Sequence, residues 1–393
     1  MMEQANLIVN EMIAHRRWLH QHAEVGFNLP NTKQYVIDQL KKLGLDPIPC
    51  GKCGITAKIE GKPGKTILLR ADMDALPMQE EANLDFSSKT GNMHACGHDM
   101  HTAMLLGAAQ LLCANKDKLC GTVKLMFQPA EEILSGAKDM IEDGVLENVD
   151  AAVMIHVTTG TPLPAGTIIV SSPGVTAPAA DYFTIKVQGK GCHGSTPNQG
   201  IDALTAAAHI LIGLQEIQAR ELPASDESVM TIGKMVGGTA ENVIADSAIL
   251  GGTIRAYDEE VRQYLKDRMT DISRGIATAF RAQATVEFGS GCPTLKNDRQ
   301  LCQSFYQYLL PILGQHGVLS AEALSQGKPV RGGGSEDFAY VSQKVPAVML
   351  ALAASDADMK YPLHHPKVVF SEKALPAGAA ALAQIAINYL EEC

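Results

Sequence analysis

The sequence lacks an excess of positive charge, since 43 Asp and Glu residues outnumber 33 Lys and Arg residues and the net charge is −10. This balance argues against nucleic acid or an anionic membrane surface as the main partner. No apolar run approaches the ~18 residues that a transmembrane helix needs. The first residues also lack a basic stretch followed by an apolar core, so no secretory signal is expected and the cytoplasm is the expected compartment.

The cysteines lack the spacing of a disulfide framework. Nine of them, an odd number, are scattered over 393 residues, and reduced thiols are therefore expected. Cys50 and Cys53 form a CxxC pair, but no second pair follows at zinc-ribbon spacing, so no chemistry is expected of it. The length itself is too great for one ordinary core and favours two domains.

The pattern of apolar runs predicts an α/β fold. Strand-like and helical segments alternate in the first third of the chain, including a helix over 31–43 with Asn31 as its N-cap, which favours a mixed, mainly parallel sheet flanked by helices. Near residue 178 the order becomes β-α-β-β-α-β, typical of a small α+β sandwich. The expected domains are therefore 1–178 with 294–393, and an inserted domain over 179–293.

Three apolar strands end in side chains that can bind metals. TILLR leads to Asp72 and Asp74, TVKLMF leads to Glu131 and Glu132, and AAVMI leads to His156. Ligands of open α/β sheets bind just outside the carboxyl ends of the strands. One crevice is therefore expected to collect all three sets.

The candidate donors combine a thiol, imidazoles and carboxylates, which suit zinc or a similar divalent ion better than calcium or magnesium. Each donor alone has an ordinary structural explanation, such as a small buried Cys96 or a solvated Glu131-Glu132 turn. Their coincidence on separate strand ends favours the metal. The candidates are Asp72, Asp74, Cys96, His98, Glu131, Glu132, His156, His193, His364 and His365.

Two adjacent glutamates after a strand suit metal-assisted hydrolysis. Successive side chains of an extended segment point in different directions, so one carboxylate can bind metal while its neighbour faces a metal-bound water. The metal lowers the pKa of that water, and the free carboxylate takes its proton and later passes it to the leaving group. Glu131 and Glu132 fit this division of roles.

The motifs as a set resemble the M20 metallopeptidase family. They are, in this order, LLRADMDALP, MHACGHDMHTAMLLGAA, FQPAEEILSGAKDMIEDG, GKGCHGSTPNQGIDAL, GGTAENVIAD, GTIRAYDEEVR, GSEDFAY and LHHP. They resemble most its aminoacylase-like branch of amidohydrolases, which includes hippurate hydrolases, indole-3-acetyl-amino acid hydrolases and N-acetyl-diaminopimelate deacetylases. The similarity extends from HRRWLHQHAEVGF to LHHPKVVF, and eight ordered motifs are far more specific than any one.

The resemblance implies an enzyme that cleaves the amide bond of N-acyl amino acids to a carboxylic acid and a free amino acid. It implies two divalent ions per subunit (zinc, manganese, cobalt or nickel), a metal-bound water as nucleophile and Glu131 as the general base. It also implies a homodimer formed through the inserted lid domain. The implied metal ligands are Cys96, His98, Glu132, His156 and His364.

The resemblance also implies roles outside the ligand set. His193 matches a histidine of the lid that polarises the substrate carbonyl in a neighbouring active site, and Asn242 and Arg255 match substrate-contacting positions. Arg255 suits a carboxylate, which its fork can bind in a bidentate way.

The sequence departs from the wider family at a few positions. Asp72-Met73-Asp74 replaces the usual His-x-Asp, so Asp74 is expected to orient ligands rather than bind metal. Cys192, Asn198 and Ala23 replace the usual glycine, histidine and proline, and the two lid changes are expected to alter substrate fit.

Other functions remain open from the sequence. Cys96 could act as a nucleophile with His98 or His101 as base, in a hydrolase without metal. The chain could be a dipeptidase of the same family, or a non-catalytic binding protein, although the latter usually loses the general base. The sequence assigns no role to His94, Asp99, His101, Glu336 or Asp337.

Overall fold

The computed structural model describes residues 1–326, 330–356 and 359–392. Its helices are α1 (Met2–Leu7), α2 (Val9–Gln21), α3 (Pro30–Lys42), α4 (His98–Ala114), α5 (Gly136–Glu142), α6 (Ala203–Glu216), α7 (Glu259–Ala279), α8 (Arg299–Gly317), α9 (Ala321–Leu324), α10 (Ala339–Ser342) and α11 (Leu375–Glu391).

The strands come in two groups along the chain. The first seven are β1 (Ile48–Cys50), β2 (Gly54–Glu60), β3 (Lys65–Asp72), β4 (Gly121–Gln128), β5 (Ala151–Thr158), β6 (Ile168–Val170) and β7 (Gly174–Ala177). The others are β8 (Ala179–Gln188), β9 (Cys192–His193), β10 (Ser228–Gly237), β11 (Val243–Ile244), β12 (Ser247–Ala256), β13 (Gln283–Cys292), β14 (Leu295–Asn297), β15 (Val318–Ser320) and β16 (Ala347–Ala353).

The chain divides into two compact units. Unit 1 comprises Met1–Thr176, Lys296–Arg331 and Glu336–Cys393, and unit 2 comprises Ala177–Leu295 and Gly332–Ser335. That unit 1 is a catalytic domain and unit 2 a lid or dimerisation domain stays a prediction.

Unit 1 contains an eight-stranded sheet among the described residues, in the order β1-β2-β4-β3-β5-β16-β6-β15. Its four central strands, β4, β3, β5 and β16, run parallel to one another, whereas β1, β2 and β6 make antiparallel pairs. The expected α/β class with a mainly parallel sheet is confirmed. Because the central strands share one direction, Asp72 lies beside Gln128 at the carboxyl edge of the sheet.

Helix α4 is buried on almost every side because it packs against α2, α11 and β3. Close packing requires small residues: a Cβ on Gly378 of α11 would collide with the Met104 side chain of α4. After its polar first turns the helix is largely apolar all round, which is typical of such a central position. His98, the first residue of α4, is therefore held by a tightly packed helix.

Helix α3 begins earlier than the sequence predicted. Its N-cap is Leu29 and its first residue is Pro30, so the expected N-cap at Asn31 is wrong. Proline suits the first helical position because it needs no partner for an N–H. Glu24 instead accepts hydrogen bonds from the backbone amides of Asn31 and Thr32.

Unit 2 is built on an antiparallel sheet in the order β10-β12-β8-β13. Along β8, Phe183, Ile185 and Val187 alternate into a core that α6 and α7 cover. Asp202 and Asp258 cap the first turns of these two helices through their side chains. This is the expected inserted α+β arrangement.

Across the described residues of both units, every helix is too short or too polar to span a lipid bilayer.

Candidate metal centre

The carboxyl edge of the unit 1 sheet brings together five predicted ligands in two sets. Cys96, His98 and His156 form one set, and Cys96, Glu132 and His364 form the other. Within each set the donor atoms lie within 4.8 Å of one another. The thiol of Cys96 belongs to both sets, so the geometry offers two adjoining cation positions with one shared ligand.

Distances between the donor atoms show how closely the two sets adjoin. Cys96 Sγ lies 3.5 Å from His156 Nε2 and 3.3 Å from His364 Nε2. The two carboxylate oxygens of Glu132 lie 3.9 Å from His98 Nε2 and 3.7 Å from His364 Nε2. Cys96 is close enough to hydrogen-bond to both His156 and His364, and the same spacing lets these donors surround added ions.

Gly97 allows Cys96 and His98 to face the same site. It has a φ of 86° and is the N-cap of α4, so it turns the chain between the two ligands. A Cβ at this position would collide with Val157. The pattern Cys-Gly-His is therefore required by the turn as well as by the ligands.

Backbone carbonyls set the tautomers of two histidines. His98 donates through Nδ1 to the carbonyl of Asp74 (2.8 Å), and His156 donates through Nδ1 to the carbonyl of Val157 (2.7 Å). Each Nε2 is thus left with its lone pair directed towards the site, as a metal ligand needs.

The two glutamates lie in a turn between β4 and α5, which we call the glutamate turn (129–136). The Asp74 carboxylate accepts hydrogen bonds from the amides of Glu131 (2.9 Å) and Glu132 (3.2 Å). Ala130 and Leu134 have φ values of 58° and 52°. Left-handed backbone at non-glycine residues costs about 1 kcal/mol or more each, so contacts from outside must hold the turn. That Asp74 orients the ligands and does not bind metal stays a prediction.

His364 reaches the cluster from a separate segment. Its amide donates to the carbonyl of Ala95 (2.9 Å), and its φ is 63°. Its side chain is half exposed, unlike those of the other four ligands. The neighbouring His365, also a sequence candidate, stacks on Tyr361 instead.

Burial and neighbouring charges shift the pKa of several groups in the cluster. Burial raises the pKa of Glu132 to about 7 and raises that of the Cys96 thiol. Burial, followed by the charges of Glu336 and Asp337, raises the pKa of Glu131 well above its usual range. In His98, burial lowers the pKa, but the charge of Asp72 and the bond to Asp74 outweigh it and raise the pKa. The raised pKa of His98 reflects the negative charge around it, which favours a cation at this site.

The donor chemistry fits a divalent metal. In the described part of the chain, His98 Nε2 and Glu132 Oε1 are buried without a hydrogen-bond partner. Unpaired buried polar atoms are costly, and coordination would satisfy both. A thiolate, imidazoles and a carboxylate together suit zinc or a similar first-row ion.

His101 supports the site without facing it. Its Nε2 accepts from the amide of Val157 (2.8 Å), and its Nδ1 donates to Asp72 (2.6 Å). Both ring nitrogens are therefore occupied. His101 can serve neither as a ligand nor as the base for a Cys96 nucleophile.

Sequence reasoning missed Arg70. It is fully buried within the apolar run of β3. Its guanidinium donates hydrogen bonds to Asp72 (2.6 Å), Glu336 (2.9 Å) and Asp337 (2.9 Å). A charged residue inside an apolar strand was the available signal, since such a side chain is buried only with partners.

A second polar cluster anchors the first turn of α4. Asp99 accepts hydrogen bonds from Arg16 Nε (2.8 Å) and His20 Nδ1 (2.9 Å). Burial lowers the pKa of the neighbouring His94 to about 3, so this histidine is neutral. Neither Asp99 nor His94 belongs to the donor sets described above.

The remaining three predicted residues belong to unit 2. His193 Nδ1 lies 2.7 Å from the Ser195 hydroxyl, and the amide of Gly194 donates to the carbonyl of Asn242 (2.7 Å). Arg255 donates to the carbonyl of Ile254 (3.0 Å). The substrate-binding roles of His193, Asn242 and Arg255 stay predictions.

The chain is similar to known proteins over most of its length. The model of a family described as Peptidase family M20/M25/M40 matches residues 68–388. The chain is 36% identical over 384 residues to N-acetylcysteine deacetylase of Bacillus subtilis (strain 168), covering 97% of each. It is 37% identical over 388 residues to IAA-amino acid hydrolase ILR1-like 2 of Arabidopsis thaliana, covering 97% of this chain and 85% of that protein.

A solved structure is also similar over nearly the whole chain. It is a Bacillus subtilis protein described as a dinuclear metal binding peptidase from the M20 family, with a TM-score of 0.80 and 33% identity. The similarity covers 99% of this chain and 100% of that one.

Proposed function

The chain belongs to peptidase family M20/M25/M40, and from this membership we propose that it hydrolyses the amide bond of N-acyl amino acids with two divalent metal ions. The observation that carries the proposal is the pair of donor sets that share Cys96, with Glu131 beside them. The relatives' names supply the substrate class, since N-acetyl and indole-3-acetyl amino acids are both N-acyl amino acids.

Five side chains would hold the two ions. Cys96 would contribute to both positions, with His98 and His156 at the first and Glu132 and His364 at the second. Bound there, the ions supply Lewis acidity and lower the pKa of a water molecule towards neutrality. Zinc, manganese, cobalt and nickel all suit these donors.

Glu131 is the general base of the proposed reaction. Its carboxylate lies 3.9 Å from His98 Nε2, next to the ligands but outside the two sets. It removes a proton from the attacking water and later gives that proton to the departing amine. The C–N bond breaks, and a carboxylic acid and an amino acid are released. A pKa raised by burial suits a group that must both accept and release the proton.

Unit 2 is proposed to bind the substrate. Arg255 would pair with the substrate carboxylate, Asn242 would contact the substrate, and His193 would polarise the scissile carbonyl. A homodimer through unit 2 is part of the same proposal, as is a small-molecule substrate. The cytoplasmic location stays a prediction.

A cysteine hydrolase without metal is the less favoured mechanism. Burial raises the pKa of Cys96, which keeps the thiol protonated and a poor nucleophile. His101 has no free nitrogen to act as its base. Presence of Glu131 likewise argues against a non-catalytic protein.

Rates on four substrate types test the proposal: N-acetyl amino acids, indole-3-acetyl amino acids, hippurate and simple dipeptides. We expect faster cleavage of the acyl amino acids than of dipeptides, loss of activity on exhaustive chelation, and recovery when zinc or manganese is added back. Faster cleavage of dipeptides would identify a dipeptidase. Activity that survives chelation but is lost on thiol alkylation would identify a cysteine hydrolase.

A further inference from the structure

The buried carboxylate of Asp337 joins three segments of unit 1. One oxygen accepts hydrogen bonds from Arg70 Nη2 (2.9 Å) and from Gln128 Nε2 (2.7 Å), and the other accepts from the amide of Ala137 (2.9 Å). Gln128 is the last residue of β4 and Ala137 is the second residue of α5. Asp337 therefore holds both ends of the glutamate turn.

The three hydrogen bonds that Asp337 accepts from Arg70, Gln128 and Ala137 are called the clamp, and the glutamate turn needs them. Carboxylate oxygens of Glu131, Glu336 and Asp337 lie within 4.8 Å of one another in a buried region. Like charges at this distance repel, and burial leaves little water to screen them. Within the turn, Leu134 donates to the carbonyl of Glu131 (2.7 Å), but this bond does not tie the turn to the rest of the sheet.

Arg70 directs its donors away from Glu131. Its Nε donates to Gln128 (2.9 Å), and its two terminal nitrogens donate to Asp72, Glu336 and Asp337. The guanidinium thus stabilises the clamp without pairing with the base. Glu131 keeps its carboxylate available on the side of the donor sets.

We propose that Asp337 is a positioning residue for Glu131: it fixes the far side of the glutamate turn, as Asp74 fixes the near side. It acts through the turn and touches neither substrate nor ions. The inference rests on the proposed function, in which Glu131 is the general base. The hydrogen bonds of Asp337 also predict slow hydrogen exchange at the Ala137 amide, which can be measured without any assay of activity.

The variant Asp337→Asn tests the clamp with almost no change in shape. Arg70 favours an oxygen opposite it, so the new amide group faces the amide of Ala137 and that hydrogen bond is lost. We expect kcat to fall about 10- to 100-fold because a small displacement of a catalytic group is costly. KM should change less than about threefold, and the metal content should stay at two ions per chain.

Hydrogen exchange gives the readout that is independent of activity. In the metal-free variant, the amide of Ala137 should exchange at least about tenfold faster than in the wild type, because its acceptor is gone. Unchanged exchange at Ala137 would contradict the clamp even if the wild type proved inactive. An inactive wild type with faster exchange would contradict the proposed function and retain the clamp.

Asp181→Asn is the matched control. Asp181 is also buried and accepts two hydrogen bonds from an arginine, Arg262, but it belongs to unit 2 and makes no described contact with the glutamate turn. This variant should keep kcat within about twofold of the wild type. If both variants lose kcat equally, the loss reflects general destabilisation and the proposal fails.

Two further outcomes decide the case. If Asp337→Asn keeps full kcat, or loses its ions in proportion to its activity, Asp337 does not position the base. If that variant cannot be purified folded, Gln128→Met removes one of the three bonds to Asp337 and should give a smaller fall in kcat with both ions retained. Wild-type kcat in Gln128→Met would then overturn the proposal.

Discussion

Units 1 and 2 bury charge in opposite ways. Among the described residues, unit 2 buries one acidic or basic side chain, Asp181, which Arg262 and Lys266 both neutralise. Unit 1 buries many, and around Arg70 the acids outnumber the bases. The buried acidic and basic residues of unit 1 are Arg16, His20, Arg70, Asp72, Asp74, His94, His98, Asp99, His101, Lys124, Glu131, Glu336 and Asp337.

We infer that the buried charges of unit 2 stabilise the fold, whereas those of unit 1 serve to bind a ligand. A buried ion costs free energy unless partners compensate it, and in unit 2 the fold supplies those partners. In unit 1 the acids around Arg70 outnumber it, and we expect added cations at the donor sets to supply the missing positive charge. Substitutions of these buried charged residues should therefore change function in unit 1 and stability in unit 2.

The largest effect is expected from Cys96→Ser, because this side chain belongs to both donor sets. After dialysis the variant should retain fewer than one metal ion per chain and show no measurable hydrolysis. A hydroxyl is a poor substitute for a thiolate ligand. Metal analysis and rate measurement check this. Cys113→Ser, at a half-buried cysteine outside the sets, should retain both ions. Two tightly held ions in Cys96→Ser would contradict the shared position.

Glu131→Gln should abolish catalysis while leaving the metals in place. Loss of a general base lowers kcat by about 10² to 10⁴-fold, and Glu131 is outside the two sets. Removing one of several crowded carboxylates should also leave the metal-free protein at least as stable as the wild type. Glu287→Gln, which removes an exposed partner of Lys186 in unit 2, is the control. Wild-type rates in Glu131→Gln would assign the base elsewhere.

Much of unit 1 could be predicted because its strands and the donors that follow them are adjacent in the sequence. Apolar strands followed by Asp74, Glu131, Glu132 and His156 showed which strand ends carry the donors. The common direction of strands then brings them to one edge.

The supporting contacts could not be predicted, because they depend on tertiary pairing. Asp337 reaches Gln128 and Ala137 across about 200 residues of sequence, and the contacts of Arg70 depend on the register of β3 against β4. The role of His101 depends on which backbone amide faces its ring. None of these follows from periodicity or motif spacing.

A moderate effect is expected in unit 2. Asp181→Asn should lower the free energy of unfolding by about 1 to 3 kcal/mol, because Arg262 loses a charged acceptor in a mostly buried place. Denaturant titration measures the change. Unfolding at the wild-type midpoint would show that this ion pair does not stabilise unit 2.

The smallest effect is a pH dependence in the metal-free protein. Burial raises the pKa of Glu132 to about 7 and raises that of Glu131 well above its usual range. Between about pH 7 and 8.5 the folded state therefore holds protons that the unfolded chain has released, so stability falls as pH rises. Burial lowers the pKa of His94 and His156 to about 3, but these groups affect stability only below about pH 6.5.

Thermal unfolding across this window checks the sign. The midpoint should fall with pH in the metal-free wild type and fall less in Glu131→Gln, which has lost one of the raised carboxyl groups. A midpoint that rises with pH would mean that the buried carboxylates of unit 1 are already compensated by the fold.

The central claim is that unit 1 holds two ions that share Cys96. Anomalous scattering from crystals grown with zinc or manganese tests it most directly. We predict two peaks per chain, about 3.5 to 4 Å apart, one between Cys96, His98 and His156 and the other between Cys96, Glu132 and His364. A single peak, or two peaks away from the Cys96 sulfur, would contradict the account.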